Sequence, residues 1–377
     1  MNTIRFQDCT PDIWNHYCKL LVNVTPRHRF EFLSYLTKSF SVKNESVLAF
    51  DEHKNFIGLI PLFFEAWSID GGMGIFSQSA GGGPTPQPLT STAGSASQYR
   101  KRFSSIFDYV DQACQSNGAK RSIFRSDFFT SFDVGRTERQ SGQFEPLLAG
   151  YNPICVNSLN IDLFLSDEML MGNVSKFHRR HIRTAQRDGQ KVGFVDQKSS
   201  ASKIEECFAG YQRAHFLAAG RVTRPQASFD AMRELISKGG AALFVNELSG
   251  LPISYLFCGS WGQLAFGWSQ ANIPEFVKEH SPRHLLEWEA INYYKRNGFR
   301  YYELGQRYCN GQFSFFADQK LINISIFKER FGGISVPEVQ FEKYFDVEIA
   351  KLVFTRRNEE FLAENFKCSL QTDSECD

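Results

Sequence analysis

The chain has 377 residues, enough for two domains, because single hydrophobic cores seldom grow past roughly 250–300 residues. With 42 basic and 41 acidic residues, its formal net charge of +1 excludes the cationic polyelectrolyte expected of a dedicated DNA binder. Nine scattered cysteines form no CxxC pair, no apolar run reaches the roughly 18 residues of a membrane span, and the opening MNTIRFQDCT lacks a signal-peptide apolar stretch. A cytoplasmic protein with reduced thiols, no membrane span and no metal is therefore expected.

In chain order, a helix is predicted over 30–40, a strand over 46–50, a turn at DEHKN and a strand over 56–64, which together read as a hairpin. The patch GGMGIFSQSAGGGPTPQP is kept out of helix by its glycines and prolines. An amphipathic helix over 99–116 leads to a strand in GAKRSIFRSDFF, and CVNSLNIDLFL alternates as another strand. Helices near 204–219 and 229–237 precede three β-rich segments in ALFVNELSGLPISYLFCGSWGQLAFGWSQA. Next come a helix from Ser281–Pro282 to Gly298, a strand over 299–304, and a loop from Gly305. A terminal helix after Asp346 and the polar tail CSLQTDSECD, expected to be disordered, complete the chain.

SVLAFDEHKNFIGLIPLFFEAW and AALFVNELSGLPISYLFCGSW share one order: a strand, a polar turn, then a longer apolar strand. Duplication of one α/β unit is the economical reading, and hairpin links imply mixed sheets. The predicted fold class is α/β (α+β), with an N-terminal domain over 1–157, a C-terminal domain over 158–346, and a terminal helix and tail over 347–377.

KFHRRHIRTAQRDG joins the strand to the second unit. At the helical step of about 100° per residue, Arg180, Arg183 and Arg187 fall within about 40° of Lys176. Val174, His178, Ile182 and Ala185 fall opposite, and Gly189 supplies a C-cap. A solvated charged face is one reading of the stripe. Against it, like charges at this spacing repel by a few tenths of a kcal/mol per pair, and arginine grips phosphates in bidentate fashion. Lys176, Arg180 and Arg183 are thus candidate phosphate ligands beside a cleft.

In EHSPRHLLEWEAINYYKRNGFRYYELGQRY, Ser281 reads as an N-cap and Pro282 as the first helical residue. The free amides of such a helix start can receive an anion or a carbonyl. This helix, the basic segment before it, LGQRY, and ISIFKERFGG together resemble the Fem-type branch of the GNAT N-acyltransferase superfamily. The resemblance runs from about Ser46 to Gly333, and SPRHLLEWEAI and FKERFGG carry most of it.

The resemblance implies two tandem GNAT-like domains with mixed, mostly antiparallel sheets flanked by helices, and acyl transfer to an amine in the cleft between them. It places Lys328, with Phe327 beside it, at the substrate groove, and Glu303 among the cleft residues as a base or amine-orienting group. Ser281, Trp268 and Gln306 join the substrate-binding set. His284, in the first turn of its helix, and Asp127 of FRSDFF are further candidates for proton transfer. Core packing is the competing reading of Phe327 and a surface position that of Glu303. EFVKEHSPRHL departs from the R/Q-x-x-G-x-G/A loop of acetyl-CoA-dependent members, and GGGPTPQPLT lacks the aspartate of members that use the peptidoglycan precursor.

Three functions follow. The first is an N-acyltransferase taking a thioester donor, acyl-CoA or acyl carrier protein, to a small-molecule amine such as a nucleotide-linked sugar or cell-envelope precursor. The second replaces that donor with aminoacyl-tRNA. The third is a non-catalytic binding module on the same fold.

Overall fold

The computed structural model describes residues 1–69, 71–79, 81, 83–126, 145–309 and 317–366. Asp127 and the tail 368–377 lie outside the described residues. The first half runs β1 (Asn2–Arg5), α1 (Pro11–Cys18), α2 (Phe30–Ser39), β2 (Val42–Asn44), β3 (Val47–Phe50), β4 (Phe56–Ile60), β5 (Phe63–Ile69), β6 (Gly72–Ser77), β7 (Thr85–Pro86), β8 (Leu89–Thr90), α3 (Ala96–Ser116) and β9 (Ala119–Ser126). The second runs β10 (Asn152–Asp162), α4 (Asp167–Asn173), α5 (Lys176–Arg187), β11 (Lys191–Val195), α6 (Ala201–Ala219), α7 (Gln226–Ser237), β12 (Ala241–Leu248), β13 (Leu251–Trp261), β14 (Leu264–Asn272), α8 (Pro274–His280), α9 (Pro282–Arg296), β15 (Tyr301–Arg307), α10 (Gln319–Glu329), β16 (Ile334–Tyr344) and α11 (Val347–Asn365).

Local chemistry sets many of these boundaries. Ser95, Ser175 and Ser200 accept backbone N–H bonds in the first turns of α3, α5 and α6. Gly189 closes α5 at a φ of +80°, a conformation that glycine adopts without a Cβ penalty. In the β3–β4 turn, Asp51 accepts from the N–H groups of His53 and Asn55, fixing the hairpin. The strand expected over 56–64 is two strands, β4 and β5, parted at Pro61, which has no N–H for a ladder.

A four-stranded sheet has the order β1-β3-β4-β8, and a large sheet runs β11-β12-β13-β14-β15-β10-β16-β9-β6-β5-β2, with β7 beside β9. Its pairings are antiparallel except β14/β15, β6/β9 and β7/β9. The duplication is visible in those exceptions, because β6–α3–β9 and β14–α9–β15 are each a strand, a helix and a parallel return strand. At the centre, β10 pairs with β15 of the second half, while β16 pairs with β10 and with β9 of the first. The last strand of the second half, β16, therefore completes the sheet of the first, and β10, which joins the halves, runs unbroken across position 157/158.

Two separate cores were expected from length, but the interior is built differently. One cluster joins Trp14, Leu33 and Tyr35 to Tyr211, Phe229 and Phe257 of the second half. A second lies under α5 and α9, and a third under α3. Among the described residues, no helix is long and apolar enough to cross a membrane.

Candidate active site

β14 and β15 pair in parallel only where Leu264–Phe266 meets Tyr301–Glu303. Beyond that point β14 continues to Asn272 and β15 to Arg307 with no further pairing between them, so the sheet opens into a wedge. Backbone N–H and C=O groups are obligatory hydrogen-bonding groups, and parted facing edges leave them for a ligand or water. In the first half, the corresponding opening between β6 and β9 is filled by β7, with Thr85 opposite Phe124 and Pro86 opposite Arg125. Among the described residues the second half keeps the open version.

Both walls carry charge. On β15, the register against β10 slips between Leu159 and Asn160, leaving Leu304 as a bulge. Gly305, next in line, takes a φ of +110°, and a Cβ there would lie 2.8 Å from Nζ of Lys328. Only glycine allows both that backbone and the close approach of the ammonium. Burial lowers the pKa of Lys328, against the opposing pull of Glu287 and Glu303. On the β14 side, Arg283 donates from Nε to Oε1 of Gln270 at 3.3 Å, with its guanidinium 4.4 Å from the Phe327 ring centre. At the vertex, Tyr302 donates to Glu287 at 2.7 Å, and burial raises the pKa of that carboxyl. Gly267 keeps the vertex open, since a Cβ there would sit 3.2 Å from the Tyr302 hydroxyl.

Glu303 ties the first half to this wall. Nη2 of Arg27 lies 3.1 Å from each of its oxygens. Nη2 of Arg125 lies 3.5 Å from Glu303 and 2.6 Å from Glu338. Arg27 sits in a tight turn over Pro26–His28, where the Thr25 N–H donates to Nδ1 of His28 and Nε2 of His28 meets the Gln87 carbonyl at 3.0 Å.

The structure redistributes the residues expected from sequence. Glu303, expected at a strand end with a surface position as the competing reading, is 3 % exposed inside β15, paired with guanidiniums. Gly305 begins no loop, because pairing with β10 carries β15 on to Arg307. Ser281 occupies the N-cap position of α9, but its side chain makes no cap bond; wedged between α8 and α9, it takes φ 45° and ψ 49°. Trp268 packs among Phe32, Tyr35, Phe257 and Phe266, on the aromatic core rather than as a bare wall. Gln306 is half-buried on β15 opposite Ser158. Glu303 and Gln306 thus lie on β15, and Lys328, on which Glu303 acts, meets that strand at Gly305 with Phe327 beside it in sequence.

The basic helix is half as expected. Val174, His178, Ile182 and Ala185 are buried, and Lys176, Arg180, Arg183 and Arg187 are exposed. No carboxylate among the described residues pairs with Lys176, Arg180 or Arg183, while Arg187 meets Asp188 at 3.8 Å. The face of α5 opposite the stripe packs inward, where His178 meets the Phe327 carbonyl at 3.0 Å.

His284, the proton-transfer candidate in the first turn of α9, is 8 % exposed, stacked on His181 at 4.5 Å and set edge-on to His178 at 4.5 Å. His178 bonds the Phe327 carbonyl through Nε2, and His284 bonds the Ser281 carbonyl through Nδ1. Each ring's other nitrogen is buried without a partner. Burial lowers their pKa values to about 4 for His178 and about 3 for His284, so both are neutral near pH 7. Among the described residues, no group of three or more His, Cys, Asp or Glu is placed to hold a metal ion.

A family described as an acetyltransferase (GNAT) domain matches residues 176–313, the span that holds the wedge. The solved structure of FemX superposes with a TM-score of 0.63 at 12% identity, covering 94% of this chain and 100% of that one. The fold is Fem-type and GNAT-like. Within this Fem-type fold, similar matches come from L-PGS of Bacillus licheniformis, with a TM-score of 0.55, 12% identity, 92% of this chain and 96% of that chain. The C-terminal domain of a putative lysylphosphatidylglycerol synthetase from Agrobacterium fabrum gives 0.55 at 10% identity, over 92% and 95% of the two chains. No curated protein matches the chain by sequence.

The sequence left Arg27, Arg125, Arg283 and Glu287 out of the candidate site. Arg283 and Glu287 stand four apart on α9 and share a face, a spacing that could have marked them. Nothing local marks Arg27, which lies 276 positions from Glu303.

Proposed function

We propose that the protein is an acyltransferase that moves an acyl or aminoacyl group from an activated donor to an amine. The observation that carries this reading is the open β14/β15 wedge with Lys328 on one wall and Arg283 on the other. A donor carbonyl laid between the parted strands would meet unpaired backbone N–H groups, the donors a developing oxyanion needs. Lys328 adds positive charge beside Gly305, where burial strengthens its electrostatic effect. Glu303, both of whose oxygens meet Arg27, orients the amine instead of taking its proton. Glu287 has a hydroxyl partner and no ion pair among the described residues, and its raised pKa suits it to accept that proton. His284 and Phe327 hold the junction of α5, α9 and α10 behind Lys328.

We read the halves 1–157 and 158–346 as tandem GNAT-like domains, the second carrying the site. The donor is a thioester of CoA or an acyl carrier protein, and the acceptor an amino sugar or cell-envelope precursor, in keeping with the GNAT match and the FemX-like fold. A second reading, aminoacyl-tRNA as donor, is favoured by the bare cations on α5, which suit a polyanion better than a cavity ligand.

The test is a transfer assay with acyl-CoA, acyl carrier protein and aminoacyl-tRNA donors on the wild type and on Lys328→Met. One donor class should support turnover, and the variant should lose about a hundredfold in kcat/KM, as removal of one oxyanion-stabilising donor does, while keeping its melting temperature. Absence of turnover with all three donors, or unchanged turnover in Lys328→Met, overturns the proposal.

A further inference from the structure

A second recess lies on the α6–α7 layer, apart from Lys328, Glu287 and Arg283. It is bounded by the C-terminal half of α6, residues 220–225 and the start of α7, and encloses about 560 Å³, within the range of small-molecule sites. Arg213, Arg221 and Arg224 line it together with Phe216, Val222 and Phe229, and its walls include no Asp or Glu. Among the described residues, none of the three guanidiniums meets a carboxylate, although the chain as a whole is almost neutral.

Arg224 is held from behind. Its Nη1 donates to the Tyr35 hydroxyl at 3.0 Å and to Sδ of Met232 at 3.6 Å, and its Nη2 to Oγ of Ser269 at 3.3 Å. These partners are all neutral, so they fix the guanidinium and leave its charge uncompensated. A cation ordered in this way binds an anion with little further loss of side-chain freedom. The apolar lining is graded, with Phe229 6 % exposed at the base while Phe216 is 51 % and Val222 72 % exposed at the rim. Single exposed apolar side chains are ordinary, but two of them edging a recess ringed by three arginines that meet no carboxylate among the described residues describe a ligand that has both characters.

We propose that this recess binds a small amphipathic anion, a carboxylate or phosphate group carried on an apolar body. The anionic group lies against Arg224 with Arg213 and Arg221 around it, and the apolar body covers Phe216, Val222 and Phe229. The assignment does not depend on the activity proposed for the wedge.

Calorimetric titration of the full chain with octanoate, phenyl phosphate and inorganic phosphate tests it. At least one organic anion should bind once per chain and at least tenfold more tightly than inorganic phosphate. Octanoate alone identifies a carboxylate ligand, and phenyl phosphate alone a phosphate. Replacing the exposed pair, Arg213→Ala with Arg221→Ala, should weaken binding at least tenfold without moving the melting temperature, and Lys328→Met should bind as the wild type does. No saturable binding of either organic anion, equal affinity for inorganic phosphate, or undiminished binding in the double variant overturns the proposal. Loss of binding in Lys328→Met would place the ligand in the wedge and overturns it equally.

Discussion

At the scale of single residues, Gly305 and Lys328 form a unit. Gly305→Ala would force an L side chain to φ +110° and drive its Cβ into Nζ of Lys328. The expected cost is about 1–3 kcal/mol of stability, read from denaturant unfolding, with a fall in transfer activity comparable to that of Lys328→Met. The buried histidines give a pH signature. His178 and His284 bind protons more weakly folded than unfolded, so the unfolded state takes up protons first as pH falls. Their contribution is complete above the ordinary histidine pKa of about 6.5 and declines toward their folded values, at up to about 1.4 kcal/mol per pH unit for each ring. His284→Phe, which keeps an aromatic ring and removes the titration, should lose less stability than the wild type between pH 6.5 and 5. An equal loss of unfolding free energy in the variant and the wild type, read from urea titrations at the two pH values, would contradict this. The two histidines also mark the limit of residue-level reading. Helical spacing alone places His178 inward, whereas the burial of His284 depends on α5 and α10 closing over it, which no neighbour in sequence announces.

At the scale of elements, α5 shows how far periodicity reaches. Its apolar face and exposed stripe follow from the 3.6-residue repeat, but periodicity does not say what lies in front of the stripe. The wedge was equally hidden. A strand, a helix and a return strand can be read from the residues around Ser281 and Gly298, but the residue at which two parallel strands part is set by the bulge at Leu304 and by tertiary packing. The same distinction separates the two donor readings. Arg180→Glu with Arg183→Glu should leave the melting temperature within about 1 °C, since both side chains are exposed and unpaired. With aminoacyl-tRNA as donor, the change should raise KM at least tenfold and flatten its salt dependence. With a thioester donor, KM should stay within twofold. Steady-state kinetics at two ionic strengths decides between them.

At the scale of the whole molecule, the two halves are coupled by a strand exchange in which β16 completes the first half's sheet, by a shared core and by the Arg27–Glu303 pair. The repeat was visible in SVLAFDEHKNFIGLIPLFFEAW and AALFVNELSGLPISYLFCGSW, but its closure was not, because sequence similarity reports what is duplicated and not which copy a terminal strand completes. Separated chains 1–157 and 158–377 should each fail to give a cooperative thermal transition, whereas the intact protein should melt in one. Two independent transitions at the intact protein's temperature would show the exchange to be dispensable. The exchange also bears on synthesis. β16 begins at Ile334, so β9 cannot gain that neighbour until β16 itself has left the ribosome. Until then the nascent first lobe carries an open sheet edge, a surface prone to pairing with the wrong chain. Growth of this protein in a cell is therefore a race between finishing translation and shielding that edge, and chaperones that hold nascent chains are the natural means of winning it.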